Sequence, residues 1–155
     1  MAVIFKNGDM FTSDAQILCH QVNCMGRMGS GIAKTVREKF PNVYESYMHL
    51  CHSGMFAPDE LLGRTLICKC GDKSMANLFA QLNYGYDGKL YTSYEAFHKC
   101  LRSIKRSVPK GSSIAFPYGI GCGLGGGKWE IIISIIYEEL GNDYEVEVWK
   151  YEKNA

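Results

Sequence analysis

Two glycine-rich stretches carry the chemistry this sequence can do. The first, Asn23-Cys24-Met25-Gly26-Arg27-Met28-Gly29-Ser30-Gly31, follows the apolar run Ile17–Val22 and leads into a helical pattern that begins near Ile32. The second runs from Pro117 to Gly127, follows Ser113–Phe116, and holds six glycines in the nine residues from Gly119 to Gly127 before another helical pattern. A strand, a glycine run and a helix N-terminus together present backbone N–H groups and the positive end of a helix dipole, a combination that holds phosphate without charged side chains. Glycine lets the backbone approach the anion closely. Two such loops at the carboxyl ends of two strands are predicted to clasp a phosphate or diphosphate from both sides. The charge balance agrees: 17 Lys and Arg against 16 Asp and Glu leave a net charge of only +1, too little for the basic face of a duplex-DNA binder. The competing view, that these are tight turns only, explains so dense a glycine cluster less well.

Neither standard nucleotide fingerprint fits. Gly121, Gly123 and Gly126 form a literal G-x-G-x-x-G, but that motif belongs in the first turn of a βαβ unit with several strands beyond it, and only one strand is predicted to follow here. A P-loop fails as well, because Cys122 stands where the leading glycine should be and Trp129 where Ser or Thr should follow Lys128. His49, Cys51 and His52 crowd one predicted helix, and Cys68-x-Cys70 alternates across a strand, so neither has metal-ligand spacing. No metal site and no cofactor are expected. Cys24 and Cys122 lie in the glycine loops without an identifiable activating base and are expected to be small apolar neighbours of a ligand, not nucleophiles.

The elements that must position these loops are short. Strands are predicted at Val3–Phe5, Ile17–Val22, Thr65–Cys70, Met75–Gln81, Ser113–Phe116 and Tyr144–Lys150, each bounded by turn residues. Helices are predicted at Ile32–Phe40 and at Val43–Ser53, where Tyr44, Tyr47, Met48 and Cys51 share a face and Pro41 opens the first turn. A third spans Ser93–Val108, with Thr92-Ser93-Tyr94-Glu95 as its capping box, and a fourth Lys128–Leu140. Such alternation predicts a layered α/β domain with helices on both faces of a mixed sheet. The segment Leu82–Thr92 is long enough to be a working surface loop.

The length of 155 residues and the 46% hydrophobic content suit a single domain over residues 1–155 that buries its own core. Seven cysteines, an odd number, argue against a disulfide framework, and no apolar run nears the ~18 residues of a membrane span. A cytoplasmic protein with no membrane partner is expected.

Taken together, Asn7-Gly8-Asp9-Met10, the stretch His20-Gln21-Val22-Asn23-Cys24-Met25-Gly26-Arg27-Met28-Gly29-Ser30-Gly31-Ile32-Ala33, Ala76-Asn77-Leu78-Phe79-Ala80-Gln81, and the Gly119–Trp129 loop resemble the macrodomain family. The likeness is greatest to its phage-type and bacterial branch of ADP-ribose-1″-phosphate processing proteins, akin to terminal ADP-ribose glycohydrolase and DNA de-ADP-ribosylating macrodomains. The resemblance implies a three-layer α/β/α sandwich with a central mixed sheet that binds ADP-ribose at the ends of the central strands. It places Asp9 on the adenine amino group with Met10 beside it, Asn23 at the distal ribose, and the amides of Gly26, Met28, Gly29, Ser30, Gly31 and Ile32 on the diphosphate and ribose. The amides of Gly121, Cys122, Gly123, Leu124, Gly125 and Gly126 come from the other side, and Tyr151 stacks near adenine. Asp after Gly is also a common turn residue, so Asp9 has two readings.

The implied reaction is hydrolysis at the distal ribose C1″, releasing ADP-ribose from protein or nucleic acid, or phosphate from its 1″-phosphate. His20 matches the histidine of the yeast-type phosphatases, and its ordinary pKa suits proton transfer to or from water. The lysine and loop acid of the glycohydrolase branch are absent: the matching residues read Phe79-Ala80-Gln81-Leu82-Asn83 and Gly123-Leu124-Gly125-Gly126. A non-catalytic reader of ADP-ribose or of ADP-ribosylated partners is therefore the alternative, and an unrelated NAD- or nucleotide-binding module a third. Nucleic acid enters only as a modified substrate.

Overall fold

The computed structural model describes residues 2–151. Six strands, β1 (Val3–Asn7), β2 (Ile17–Asn23), β3 (Thr65–Cys70), β4 (Lys73–Gln81), β5 (Ser113–Pro117) and β6 (Glu145–Lys150), form one sheet in the order β1-β6-β5-β2-β4-β3. Every neighbouring pair is parallel except β3 with β4, which a two-residue turn joins and which therefore must be antiparallel. The sheet is mixed, as expected.

Alternation along β2 divides the core. Cys19 packs with Phe97, Leu101 and Ile104 of α4 (Tyr94–Ser107) and Ile132 and Ile136 of α5 (Trp129–Leu140). Leu18, one residue earlier, packs with Val36 of α1 (Gly31–Lys39) and Val43 of α2 (Pro41–His52) on the opposite face. Successive side chains of a strand point to opposite faces, so the central strands serve two helical layers and the α/β/α sandwich follows. A buried carboxylate ties α4 to α5: Glu139 accepts from His98 Nδ1 and Arg102 Nε, each at 2.8 Å, with Lys105 at 3.7 Å.

Three local features differ from the expectations. The cap of α4 is Ser93, whose side chain accepts from Ala96 N at 3.1 Å, while Thr92 turns its hydroxyl to the Gly121 carbonyl at 2.7 Å and Glu95 pairs with Lys99. A four-residue helix, α3 (Pro58–Leu61), and a 3₁₀ turn at Met10–Thr12 had no periodic signature. Both are too short to display one.

The feature that creates a site lies between β2 and β5. Their ladder covers only Ile17 with Ile114 and Leu18 with Ala115, and beyond these pairs the strands separate. From β2 the chain moves outward to β4 and β3, whereas from β5 it moves the other way to β6. Such a reversal leaves a crevice at the carboxyl ends of the strands.

Candidate functional site

A cavity of about 670 Å³ opens in that crevice. Its walls are Gly8–Phe11 after β1, His20 and Gln21 of β2, Ser30–Ala33 at the start of α1, Pro117–Gly121 and Gly123–Gly125 of the second glycine loop, and Trp149 and Tyr151. No lysine or arginine lines it among the described residues, and its one carboxylate is Asp9. A smaller cavity of about 170 Å³ continues from it past Ser30, Gln81 and Leu124, and is lined by Asn23, Arg27, Gly29, Tyr84 and Tyr86.

The first glycine loop delivers a helix N-terminus to the cavity. Ser30 stands at the N-cap of α1 yet makes no capping bond, because its hydroxyl is paired with Tyr86 Oη at 2.8 Å. The opening N–H groups of α1 are left without a side-chain partner, and such groups favour an anion. Ser30, Gly31 and Ile32 line the cavity, and Gly29 lines the smaller one.

Gly26 and Met28 do not. Gly26 is in the left-handed region, and a Cβ there would collide with the His52 ring, so this glycine serves a turn packed on α2. The Met28 side chain is buried with Val22, Tyr47 and Phe79. Asn23 is likewise committed inside its own loop. Its Oδ1 accepts from Met25 N at 3.0 Å and from Tyr47 Oη at 3.0 Å, and its Nδ2 donates to the Arg27 carbonyl at 2.8 Å. Tyr47 Oη also accepts from Arg27 N at 3.1 Å. Sequence reasoning placed Tyr47 on an apolar stripe and so missed its role as the clamp of this loop. Cys24 is buried in the same cluster, outside both cavities, where burial pushes its thiol up to about 12.

The second glycine loop contributes backbone alone, not a helix end. The first residue of α5, Trp129, is outside the cavity lining, and Lys128 N donates to Tyr94 Oη at 3.0 Å. The loop's amides divide into two sets. Those of Cys122, Gly126 and Gly127 are spent in internal turns, on the carbonyls of Gly119, Gly123 and Gly121. Those of Gly121, Gly123, Leu124 and Gly125 have no protein acceptor among the described residues, and these four residues line the cavity. Cys122 and Gly126 are thus turn-formers. Gly126 has positive φ, and a Cβ there would press on the Lys89 carbonyl oxygen of the overlying loop; burial and the neighbouring Glu130 push the Cys122 thiol up.

The segment between Gln81 and Thr92 straps the two glycine loops together. Tyr91 N and Thr92 N both donate to the Gly125 carbonyl, at 2.8 and 2.9 Å, and Tyr86 reaches Ser30 on the other side. Beneath it Gln21 Nε2 donates to Gln81 Oε1 and Thr92 Oγ1, both at 2.8 Å. Gln21 and Gln81 had no role of their own assigned from sequence, since an amide at a strand end carries no motif, and Thr92 was read only as part of a capping box.

Asp9 caps a turn and also borders the cavity. Oδ1 accepts from Phe11 N at 2.9 Å, capping the 3₁₀ turn, while the residue lines the cavity beside Met10. Tyr151 lies at the same end and is 68% exposed. His20 lines the cavity but is only 1% exposed, with Nε2 2.6 Å from Asn77 Oδ1. Burial lowers its pKa to about 4, against the hydrogen bond to Asn77, which raises it. The ring is neutral at ordinary pH and a weak base, so the proton-transfer role expected of an unperturbed imidazole does not suit it.

The fold and cavity define an α/β/α protein whose crevice is lined by main-chain amides without protein acceptors among the described residues. The chain belongs to the Macro domain family, whose model matches residues 19–136. Among curated relatives, an ADP-ribose 1″-phosphate phosphatase of Meyerozyma guilliermondii is 33% identical over 92 residues, covering 57% of this chain and 52% of that protein. A DNA ADP-ribosyl glycohydrolase of Thermus aquaticus is 26% identical over 152 residues, covering 96% of this chain and 40% of that protein. The chain thus spans about half or less of the length of these relatives. The solved macrodomain of Thermus aquaticus DarG superimposes with a TM-score of 0.75 at 25% identity over 97% of each chain.

Proposed function

We propose that the chain binds ADP-ribose and hydrolyses the bond at the distal ribose C1″, freeing ADP-ribose from a modified protein or nucleic acid or phosphate from ADP-ribose-1″-phosphate. The observation that carries this is the unspent amide set: the start of α1 on one side, and Gly121, Gly123, Leu124 and Gly125 on the other, belong to residues that line one crevice without a cationic side chain. A diphosphate between them extends the adenosine toward Asp9, Met10 and Tyr151 and the distal ribose toward Ser30, Gln81 and the smaller cavity. There Arg27, Tyr84 and Tyr86 surround the space a C1″ substituent would take. With His20 neutral, the hydrolytic reading rests on amides that fix the ligand and orient a water, a positioning effect of the kind that can supply much of a barrier reduction.

One observation favours a second reading, a reader that binds and does not turn over. The stretch Phe79-Ala80-Gln81-Leu82-Asn83 at the end of β4, which the resemblance matches to the lysine-bearing segment of the glycohydrolase branch, holds no lysine, and no acid lies in the second glycine loop. Calorimetry with ADP-ribose, AMP and NAD tests the ligand, and equal or tighter binding of AMP or NAD would defeat the assignment. Turnover assays on ADP-ribose-1″-phosphate, ADP-ribosylated DNA and mono-ADP-ribosylated peptide then separate hydrolase from reader.

A further inference from the structure

His20 and Asn77 form a buried pair whose hydrogen-bond network selects one tautomer of the neutral ring. They face each other across the β2–β4 register, both buried, with Nε2 2.6 Å from Oδ1. Asn77 Nδ2 donates to the Leu66 carbonyl at 2.9 Å and approaches Cys68 Sγ at 3.7 Å. With its NH₂ group held on a carbonyl of β3, Asn77 turns an oxygen to the imidazole, and an amide oxygen only accepts. The proton of the neutral ring therefore sits on Nε2, and Nδ1 keeps a lone pair. That Nδ1 has no hydrogen-bond partner although it is buried, which is costly for a polar atom. Since Nε2 is spent on the neighbouring strand, Nδ1 is the one hydrogen-bonding atom His20 has left for the cavity it lines.

We infer that His20 Nδ1 is an acceptor site for an O–H donor of the bound ligand complex, either a ribose hydroxyl or a water held beside it, and that Asn77 is the positioning residue that fixes the tautomer from β4. A lone pair repels phosphate oxygens, so this site complements the amides: they take the anion and His20 takes a hydroxyl. The inference rests on the proposal that ADP-ribose occupies the cavity, and the two can fail separately.

The test is nitrogen-15 NMR of the imidazole at neutral pH, without ligand and with ADP-ribose, ADP or AMP, alongside calorimetry on the same samples. The expected result is an Nε2–H tautomer whose Nδ1 resonance shifts in the hydrogen-bonded direction. A shift with ADP-ribose alone identifies a distal ribose hydroxyl, and a shift with ADP or AMP as well identifies the adenosine ribose. An Nδ1 already hydrogen-bonded in the free protein identifies the water. Absence of heat with ADP-ribose would overturn the function proposed above; heat together with a lone-pair Nδ1 that bears no hydrogen bond in either state, or with a proton on Nδ1, overturns this inference. Asn77→Leu supplies the second arm. It should redistribute the proton toward Nδ1 and weaken ADP-ribose binding about tenfold, the loss of one buried hydrogen bond; an unchanged Nε2–H tautomer in this variant overturns the positioning role. If the variant does not fold, the wild-type spectra still decide.

Discussion

One oxygen of the Asp9 carboxylate is already in use, since Oδ1 caps the 3₁₀ turn through Phe11 N. The other is the acceptor available to an adenine amino group. Asparagine separates the two duties: it caps as well as aspartate, but with its oxygen kept on Phe11 N it would present an NH₂ to the adenine NH₂. Asp9→Asn is therefore expected to keep its thermal stability and lose about tenfold in ADP-ribose affinity by calorimetry, while Asp9→Ala loses affinity and also about 1 kcal/mol of stability. Wild-type affinity in Asp9→Asn would remove the adenine contact from the account. His20 yields a prediction in pH. Its folded pKa of about 4 lies below the usual imidazole value, so between these limits the unfolded chain binds the extra proton and stability rises with pH. The contribution is complete above the unfolded pKa and is lost as pH falls toward 4, a loss on the order of 3 kcal/mol. Denaturant unfolding from pH 7 to pH 4.5 should show this slope, and His20→Leu should flatten it.

Among the elements, the 81–92 strap is the one whose removal the cavity would feel most. Its end rests on the Gly125 carbonyl through two amides, and Lys89 passes so close to Gly126 that a Cβ at that position would collide. Gly126→Ala is expected to cost about 1–3 kcal/mol, from positive φ and the forced shift of the strap. Hydrogen exchange should locate the loosening in residues 83–92 and leave the central strands protected. Protection unchanged there would mean that the strap and the glycine loop are not coupled. The same element explains a misread cap. Thr92-Ser93-Tyr94-Glu95 satisfies the capping-box pattern, but Thr92 Oγ1 is claimed by Gly121 O and Gln21 Nε2, so the cap moves to Ser93. Local chemistry located the helix to within a residue, while a contact from a distant loop decided which hydroxyl closes it. The strands and four longer helices were readable because periodicity and flanking glycines or prolines are local signals. The 3₁₀ turn is three residues closed by two backbone bonds and the Asp9 cap, and α3 is a single turn, so neither left a pattern to read.

At the scale of the molecule, the legible part of the site was its composition: glycine loops after two strands, near-neutral charge, and an acid after β1. The illegible part was the division of labour among neighbours. Which amides are free depends on turns internal to the loop, as at Cys122 and Gly126, and Asn23, at the end of β2, is drawn inward by Tyr47 of α2. The outcome is a crevice with no lysine or arginine in its main cavity among the described residues, on a chain of net charge +1. That arrangement predicts an unusual salt response for a diphosphate ligand. Binding driven by lysine or arginine pairs releases or screens charge and weakens steeply with ionic strength, whereas hydrogen bonds from neutral amides at contact distance are screened little. Calorimetry should find the ADP-ribose Kd changed by less than about threefold between 50 and 500 mM NaCl, given a Debye length that shrinks from well above 10 Å to a few ångströms. Arg27→Ala, which alters the smaller cavity only, should leave that flat response intact for free ADP-ribose. A loss of tenfold or more with salt, abolished by Arg27→Ala, would move the anion off the amides and onto the guanidinium.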